Sequence, residues 1–320
     1  MMSDATGLAT ARPLASVVVA AYNAAETLPE TIESVLAQSC GSWEMIIVDD
    51  GSSDATLELA RTHARADGRI RVITQANAGT AAARNAGFSI AGGEWFCFLD
   101  ADDAMSPDYL ERMIAFIGRN PGYDIYSCNA EVVLRDGGRD LMWGGRRWRV
   151  PHQVTAIEQL KESSVSPVTL FRPEVFERVA GFRSVYSEDY DFWLRALILG
   201  FRHLFNPETL WSYRRREGSK TTALVAEAES LLDIVADAAA MPQLTVEQKQ
   251  VADRALEFAR ARIERRRLEE ALLRGEFTGA RHAYVNARKA FPDGLKYTVG
   301  FVLMMTSPAL YARVKSARMV

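Results

Sequence analysis

The sequence contains few cysteines, and this scarcity argues against a small fold held together by disulfides. Only three occur, and Cys40, Cys97 and Cys128 are widely spaced along the chain. An odd number at such spacing gives no disulfide framework. Two of the three lie within apolar runs that are typical of buried strands, which indicates reduced core residues of a cytosolic protein.

An excess of charge of one sign is also lacking. The formal net charge is only −3 over 320 residues. The chain therefore has no overall positive field of the kind that attracts a protein to a phosphate backbone. We expect no nucleic-acid partner.

A secretion signal and a long apolar run are lacking as well. Residues 1–13 are small and polar, with no basic segment before an apolar stretch, so they predict a disordered leader and not a signal peptide. The apolar stretch Val299–Leu310 is shorter than the roughly 20 residues that a membrane-spanning helix needs. We expect a cytoplasmic protein.

Residues 295–320 combine apolar and basic side chains. Phe301–Met305 is apolar, and Arg313, Lys315 and Arg318 follow it. This composition suits a peripheral, amphipathic contact with the inner face of an anionic membrane. A closing helix that is buried against the rest of the chain would have the same composition.

What the sequence does contain is a regular alternation of apolar runs and amphipathic stretches over its first hundred residues. This order predicts an α/β fold with a mostly parallel sheet covered by helices on both faces. Asn23 followed by Glu26 predicts a capping box at the start of the first helix. We expect strands at Ala15–Ala21, Met45–Val48, Ile70–Thr74 and Trp95–Leu99, and helices at Leu28–Leu36, Asp54–Ala66 and Thr80–Ile90.

The pattern changes twice further along the chain. After Pro107 we expect a helix, then a hairpin between Ile125 and Met142, and a mixed, partly antiparallel region to about residue 220. Helical stretches rich in Ala, Glu, Arg and Leu follow. We therefore predict a domain of residues 14–222, with halves of about 14–104 and 105–222, and a C-terminal helical region of 223–320.

Polar clusters follow three of the predicted parallel strands, where ligands bind in sheets of this kind. Tyr22 and Asn23 follow the first strand, Asp49-Asp50-Gly51-Ser52 the second, and Asp100-Ala101-Asp102-Asp103 the fourth. Two carboxylates that lie two residues apart can face a divalent cation, because Mg²⁺ and Mn²⁺ prefer oxygen ligands and share substrate phosphates. Solvated residues that cap the next helix are the other interpretation.

The remaining clusters each have two interpretations when taken alone. The segment around Asp50 suits a turn and a helix cap as well as a ligand. Arg84 can approach a phosphate or pair with a carboxylate. The run Glu188-Asp189-Tyr190-Asp191 precedes a helix predicted at Phe192–Leu199, where negative charge is favourable in its own right. A carboxylate there can also take a proton from a sugar hydroxyl.

In order and spacing, these segments resemble the inverting family 2 glycosyltransferases over residues 15 to 220. The resemblance implies a GT-A (Rossmann-like) fold, that is, a mixed, mostly parallel sheet flanked by helices, here with a C-terminal helical extension. It also implies transfer of a sugar from a UDP-, GDP- or dTDP-sugar donor to a hydroxyl of a glycan or lipid-linked acceptor, with inversion, in surface glycan or polysaccharide synthesis.

The resemblance assigns roles to individual residues. Asp189 stands at the place of the catalytic base with Glu188 beside it, and Asp102 at the place of the ligand of Mn²⁺ or Mg²⁺. Tyr22 lies beside the nucleobase, Asp50 reads the base, and Asp100 contacts the ribose. The full set of predicted nucleotide-sugar contacts is Ala20, Tyr22, Asn23, Asp50, Arg84, Asp100, Ala101 and Arg216.

Arg216 departs from the family pattern, because it occupies a position where the family has histidine. A guanidinium stays protonated and cannot ligate a metal, but it can neutralise phosphate oxygens. We therefore predict that Arg216 contacts the diphosphate. The departure leaves open an inactive nucleotide-sugar-binding module.

Two other enzyme classes fit the residues less well. A sugar-phosphate nucleotidyltransferase needs a Gly-rich phosphate loop, which Ala20–Ala25 lacks. A glycosidase uses two carboxylates but leaves Asp49 and Asp50 unexplained.

Overall fold

The computed structural model describes residues 12–134, 137–161, 163–214 and 224–273. The first eleven residues of the predicted leader, Arg216 and the predicted membrane-contact segment lie outside the described residues. Described residues fall into two compact units that divide at about residue 217. The first unit holds every described strand, and the second holds the last two described helices.

The N-terminal half of the first unit alternates strands and helices as predicted. Strand and helix bounds agree with the predicted ones to within two residues because the strands are apolar runs and the helices are amphipathic. The elements are β1 (Ala15–Ala21), α1 (Leu28–Leu36), β2 (Trp43–Asp49), α2 (Thr56–Ala66), β3 (Ile70–Thr74), α3 (Thr80–Ile90) and β4 (Trp95–Asp100).

The second half of this unit is mixed, also as predicted. The predicted hairpin is confirmed, because the strands Ile125–Val133 and Arg139–Leu141 pair in antiparallel orientation. The elements are β5 (Ala104–Met105), α4 (Tyr109–Arg119), β6 (Ile125–Val133), β7 (Arg139–Leu141), β8 (His152–Val154), α5 (Ala156–Lys161), β9 (Thr169–Phe171), α6 (Pro173–Val179), α7 (Glu188–Ile198) and β10 (His203–Arg214).

The strands form one sheet in the order β3-β2-β1-β4-β9-β6-β10-β5, with β7 beside β6 and β8 beside β10. The strands β3, β2, β1 and β4 run parallel to their neighbours. Strand β9 is antiparallel to both β4 and β6 and so joins the two halves of the sheet. Because parallel strands end on the same edge, the polar loops after β1, β2 and β4 are neighbours.

Helices cover both faces of the parallel strands. Side chains alternate across a strand, so Val17 and Val19 of β1 enter a core formed with α1, α2 and α4, whereas Val18 points the other way. On that second face α3 lies very close to the sheet. A Cβ built on Gly87 would clash with Cγ1 of the buried Val18, so glycine is needed at this helix position. The tight contact fixes α3 relative to β1.

The second unit contains a pair of helices, α8 (Leu224–Ala239) and α9 (Val246–Leu273). Ion pairs join them, from Arg262 to Glu227 at 3.1 Å and from Arg267 to Glu229 at 3.0 Å. The predicted helical extension is therefore confirmed for residues 224–273. None of the helices that the structure describes is both long and apolar enough to cross a membrane.

Two local predictions were wrong. Helix α1 is capped at Thr27 without a side-chain hydrogen bond, and Asn23 lies outside it in a left-handed conformation. The capping box is therefore absent, because the Asn23 side chain binds the neighbouring loop instead. Helix α7 begins at Glu188 and not at Phe192. Its acidic first turn is helical because positive partners and the helix dipole stabilise the charges.

Candidate active site

The candidate site lies at the carboxyl edge of β1, β2 and β4. Ala20 of β1 is the backbone partner of Val48 on one side and of Asp100 on the other. Adjacent strands are about 4.8 Å apart, so the residues after β2 and β4 flank the end of β1 on either side. The edge thus brings Ala20, Asp50 and Asp100 into one row, as the sequence predicted.

The loops after β1 and β2 are tied to each other through Asn23. Its Oδ1 accepts a hydrogen bond from the Ser53 N–H at 2.8 Å, and its own N–H donates to Oγ of Ser52 at 3.0 Å. Asn23 has a φ of +48°, a conformation that asparagine tolerates better than most residues. The adjacent Tyr22 is 52% exposed, so its ring is available to a flat ligand such as a nucleobase.

Asp50 holds the loop that leads into α3. Its Oδ1 accepts hydrogen bonds from the Gln75 side chain (2.7 Å) and the Ala78 N–H (2.9 Å), and its Oδ2 accepts one from the Gly79 N–H (2.8 Å). Asp50 is buried, so this loop is its immediate surroundings. The side chain therefore shapes the cleft through the loop, a role that the sequence pattern did not indicate.

The glycine after Asp50 is required by the same loop. Gly51 has a φ of +74°, in the region that favours glycine, and a Cβ on it would lie 2.9 Å from the Asn77 backbone nitrogen. A larger residue would push the loop away from β2. The predicted turn at Asp50-Gly51 is thus also a packing contact.

Arg84 of α3 connects the end of β4 to the start of α7. Its Nη2 donates to Oδ1 of Asp100 at 2.6 Å, and its Nη1 to Oε1 of Glu188 at 3.3 Å. The Arg84 side chain is only 6% exposed. Both ends of the guanidinium therefore bind carboxylates, which is one of the two interpretations that the sequence left open.

The charges around Arg84 are strongly coupled. Burial alone would lower the pKa of Arg84, but the negative charges of Asp100, Glu188 and Asp189 raise it instead. Asp189 directly follows Glu188, the Arg84 partner, in the first turn of α7. The structure therefore brings together Asp100, Arg84, Glu188 and Asp189, which come from three separate segments of the chain.

The turn after β4 is held in place by Asp103, its last acidic residue. Asp103 is buried, and its Oδ1 accepts a hydrogen bond from the Arg214 N–H at 3.1 Å. The Thr31 hydroxyl donates to the Asp103 carbonyl oxygen at 2.8 Å. Burial, and then the carboxylates of Asp100 and Asp102, raise the pKa of Asp103 well above its usual range. Asp103 thus anchors the turn, and Ala101 is buried within it.

Asp102 is half-buried in this turn. Among the described residues there is no group of three or more acidic, histidine or cysteine side chains that could hold a metal by themselves. A binding mode with one or two carboxylates and substrate phosphates is what Mg²⁺ commonly uses, so Asp102 still fits such an ion. Arg216 lies outside the described residues.

Asp189 and Asp191 occupy the first turn of α7 but have different surroundings. Asp189 is half-buried, and its Oδ1 accepts a hydrogen bond from the Tyr190 N–H at 2.8 Å. Asp191 is fully buried between Arg183 and Arg195. Asp191 is therefore a structural anchor, and Asp189 is the carboxylate of this turn that solvent can reach beside Arg84.

Sequence reasoning missed the residues that hold α7 in place. Asn85 binds the backbone of Phe182, and Arg195 donates to the carbonyl oxygens of Val179 and Gly181. These contacts are made to backbone atoms far away in sequence, so no spacing pattern reveals them. The only available signal was the adjacency of Asn85 to Arg84.

Comparison with known proteins gives a consistent family. Residues 16–175 match the family described as glycosyl transferase family 2. The chain is 42% identical over 207 residues to TuaG of Bacillus subtilis strain 168, a protein named for teichuronic acid biosynthesis, with 63% of this chain and 79% of TuaG covered. It is 37% identical over 229 residues to the succinoglycan biosynthesis protein ExoO of Rhizobium meliloti strain 1021, with 66% and 64% covered.

Other relatives are matched over less of their length. The alignments cover 37% of EpsH and 63% of EpsJ of Bacillus subtilis, so the chain spans less than two thirds of these relatives and of ExoO.

Two solved structures share the fold. TarS residues 1–349 of S. aureus, in complex with UDP-GlcNAc, superpose with a TM-score of 0.66 at 22% identity, covering 94% of this chain and 87% of that chain. The mannosyltransferase PcManGT of Pyrobaculum calidifontis, in complex with GDP-Man and Mn²⁺, gives a TM-score of 0.58 at 20% identity, with 96% and 87% covered. At these identities the likeness is one of fold, and it confirms the predicted fold class.

Proposed function

Because this chain belongs to glycosyl transferase family 2, we propose that it transfers a sugar from a nucleoside-diphosphate sugar to a hydroxyl acceptor with inversion at the anomeric carbon. The names of TuaG and ExoO place these relatives in polysaccharide biosynthesis. That supports a glycan or a lipid-linked glycan as the acceptor. Contact with a membrane through residues 295–320 and a cytoplasmic location remain predictions.

The observation that carries the proposal is the arrangement of acidic residues around Arg84. Its guanidinium binds Asp100 and Glu188 directly. Asp102 and Asp189 follow the two bridged carboxylates closely in the chain, and both are half-buried. A partly exposed carboxylate therefore lies in the turn after β4 and another in the first turn of α7. A transferase needs groups at both ends of the bond that it exchanges.

The donor would bind along the edge of the parallel strands. The exposed ring of Tyr22 suits stacking on the nucleobase, and the loop held by Asp50 forms the adjacent wall. TarS binds UDP-GlcNAc and PcManGT binds GDP-Man, which supports a nucleoside-diphosphate sugar as the class of donor. Asp100 would accept a ribose hydroxyl while Arg84 fixes its orientation.

Asp102 would hold a divalent cation together with the donor phosphates. Mn²⁺ or Mg²⁺ supplies positive charge that neutralises the diphosphate leaving group. The oxygen ligands that Asp102 and the phosphates provide suit these hard ions, and PcManGT was solved in complex with Mn²⁺ as well as GDP-Man.

Asp189 would act as the general base. It takes the proton of the acceptor hydroxyl as that oxygen forms a bond to the anomeric carbon, and the bond from that carbon to the diphosphate breaks on the opposite side. The nucleoside diphosphate leaves with the electron pair of the broken bond. A single displacement of this kind inverts the configuration. Glu188 would support the base through Arg84, because it is buried and paired.

The experiment is a donor survey by saturation-transfer NMR together with a donor-hydrolysis assay. UDP-, GDP- and dTDP-sugars are compared with and without Mn²⁺, for the wild type and for Asp102→Ala. Asp233→Ala, which removes an exposed carboxylate from α8 in the second unit, is the control.

We expect metal-dependent binding of one donor that Asp102→Ala abolishes and Asp233→Ala retains. If no nucleotide sugar binds under any condition, the proposal is wrong, and a module without transferase activity becomes the better description.

A further inference from the structure

The connection between α6 and α7, residues 180–187, determines where Asp189 lies. It starts with two residues in left-handed conformations, Ala180 at a φ of +60° and Gly181 at +72°. The N–H of Gly181 donates to the Phe176 carbonyl oxygen at 3.0 Å, and that of Ala180 to the Glu177 carbonyl at 3.1 Å. This pattern ends α6 sharply and turns the chain towards α3.

The Asn85 side chain of α3 binds the connection at Phe182, the residue just after these two. The Asn85 side-chain N–H donates to the Phe182 carbonyl oxygen at 2.9 Å, and Oδ1 accepts from the Phe182 N–H at 2.9 Å. The amide thus satisfies both backbone groups of one residue, as a neighbouring strand would. A Cβ on Gly181 would lie 2.9 Å from Asn85 Oδ1, so the close approach depends on glycine there.

Phe182 is itself well packed. The Phe182 ring stacks on Phe192 of α7 with a centroid distance of 4.4 Å and meets Phe98 of β4 edge-on at 4.9 Å. The Arg84 guanidinium carbon lies 5.3 Å from the same ring. Phe182 therefore contacts the donor-side strand, the donor-side helix and the helix that carries Asp189.

The far end of the connection is held by the preceding residue of α3. Arg84 binds Glu188, the first residue of α7. Two adjacent residues of one helix therefore hold both ends of the segment from Phe182 to Glu188. The same Arg84 binds Asp100 at the end of β4. Helix α3 is in turn fixed to β1 through Gly87.

We propose that Asn85 is a positioning residue that sets the placement of Asp189 relative to the donor edge. Asn85 touches neither substrate. It acts through the backbone of Phe182, and without it α3 holds the connection by a side-chain hydrogen bond only at Glu188, through Arg84. This inference rests on the proposed function, in which Asp189 is the base. A misplacement of about 1 Å in a reacting group can reduce the rate by about 100-fold, so a loss of this contact has a kinetic signature.

The experiment compares Asn85→Ala, Gly181→Ala and their double variant with the wild type, using the donor identified in the survey above. Gly181→Ala disturbs the same contact from the other side by bringing a methyl group against Asn85 Oδ1, and it also strains the left-handed backbone at residue 181. Ser89→Ala is the control, because this exposed α3 side chain binds only the Ala86 carbonyl of its own helix.

We expect Asn85→Ala to lower kcat by at least about 10-fold, while the donor dissociation constant changes by less than about 3-fold. Gly181→Ala should show the same split. The double variant should lose less than the product of the two single losses, because removing the Asn85 amide also removes its clash with the added methyl group. Hydrogen exchange at the Phe182 amide should accelerate in Asn85→Ala and stay unchanged in Ser89→Ala.

Three results separate the possibilities. If the wild type turns over no donor, the proposed function fails. If the wild type is active and Asn85→Ala keeps its kcat, the positioning role is wrong. If kcat and donor affinity fall together, or the double variant loses the product of the two single losses, Asn85 supports the whole domain and not the base, and the inference is also overturned.

Discussion

Arg84 illustrates how the role of a single residue depends on what surrounds it. On the sequence alone the guanidinium could approach a phosphate or pair with a carboxylate. In the structure it is buried and binds Asp100 and Glu188. Burial of an unpaired charge is costly, so a guanidinium in this position stays with its partners. The residue therefore links the end of β4 to the start of α7, and a contact of Arg84 with the donor stays a prediction.

His203 predicts a specific pH dependence of stability. It is fully buried, and its Nε2 lies 2.7 Å from Oγ of Ser127. Burial, with a smaller effect of nearby His152, lowers the pKa of His203 to about 3 from an ordinary value of 6.5. Below about pH 6.5, His203 therefore binds a proton in the unfolded chain but stays neutral in the folded chain. The free energy of unfolding falls as the pH falls through this range.

The expected loss between pH 7.5 and pH 5 is about 2 kcal/mol in the free energy of unfolding from this one group. Urea denaturation at both pH values measures it. His203→Asn should reduce the difference between the two pH values by about this amount, whatever its effect on stability at neutral pH. An unchanged pH difference in the variant would mean that His203 is not the group responsible.

The candidate site residues differ in how readily the sequence reveals them. Asp102 and Asp189 were singled out because they stand in acidic runs whose order along the chain resembles a known family. The contacts of Asn85 with Phe182 and of Arg195 with Val179 and Gly181 could not be predicted, because their partners are backbone groups. Such contacts depend on the fold and leave no pattern of charge or spacing.

At the scale of elements, α7 differs most from what the sequence indicated. Its start was predicted at Phe192, after the acidic run, but the helix begins at Glu188. The acidic run was interpreted as negative charge placed before the helix, where the helix dipole favours it. In the structure Glu188 and Asp191 are buried, and each has an arginine partner. Pairing with Arg84 of α3 and with the nearby Arg183 and Arg195 allows these charges to lie inside the first turn.

Asp191 predicts how strongly this helix depends on its anchor. Its carboxylate lies between Arg183 and Arg195, and the Asp191 side chain is fully buried. Asp191→Asn removes the charge that compensates Arg195, so we expect the free energy of unfolding to fall by about 3 kcal/mol. Urea denaturation at neutral pH measures the change.

A matched control is Asp108→Asn, just before α4, which breaks an exposed pair with Arg112. Exposed pairs contribute little, so its effect should stay below about 0.5 kcal/mol. Equal effects of the two substitutions would contradict the anchoring role of Asp191.

The strands show the same contrast between local and distant information. Strands β1, β2 and β4 were predicted closely because each is an apolar run buried on both faces. Strands β5, β8 and β9 are only two or three residues long, too short for any periodicity. Strand β10 has register irregularities between Asn206 and Trp211, which interrupt its alternation.

At the scale of the whole molecule, the fold class and the order of the N-terminal elements could be predicted, but the order of strands in the second half could not. That order depends on β9, which joins β4 to β6 through antiparallel pairing. Strand β9 has three residues, too few for its sequence to indicate which strands it pairs with. The sequence therefore predicted the parallel strands, at whose edge the donor would bind. It did not predict the strand order of the second half, where the acceptor would enter.

The two halves of the sheet meet at the candidate site and contribute different groups to it. Donor-side residues come from the parallel strands, whereas Asp189 comes from α7 in the second half. Arg84 bridges the two. We infer that binding of the donor and activation of the acceptor are separate tasks of different carboxylates.

The single-turnover rate of Asp189→Asn, measured with saturating donor and metal, tests this division of tasks. A base acts chiefly in the transition state, so we predict a donor dissociation constant within about 3-fold of the wild type and a rate lower by at least about 100-fold. A rate within a few-fold of the wild type would contradict the division and would place the base elsewhere.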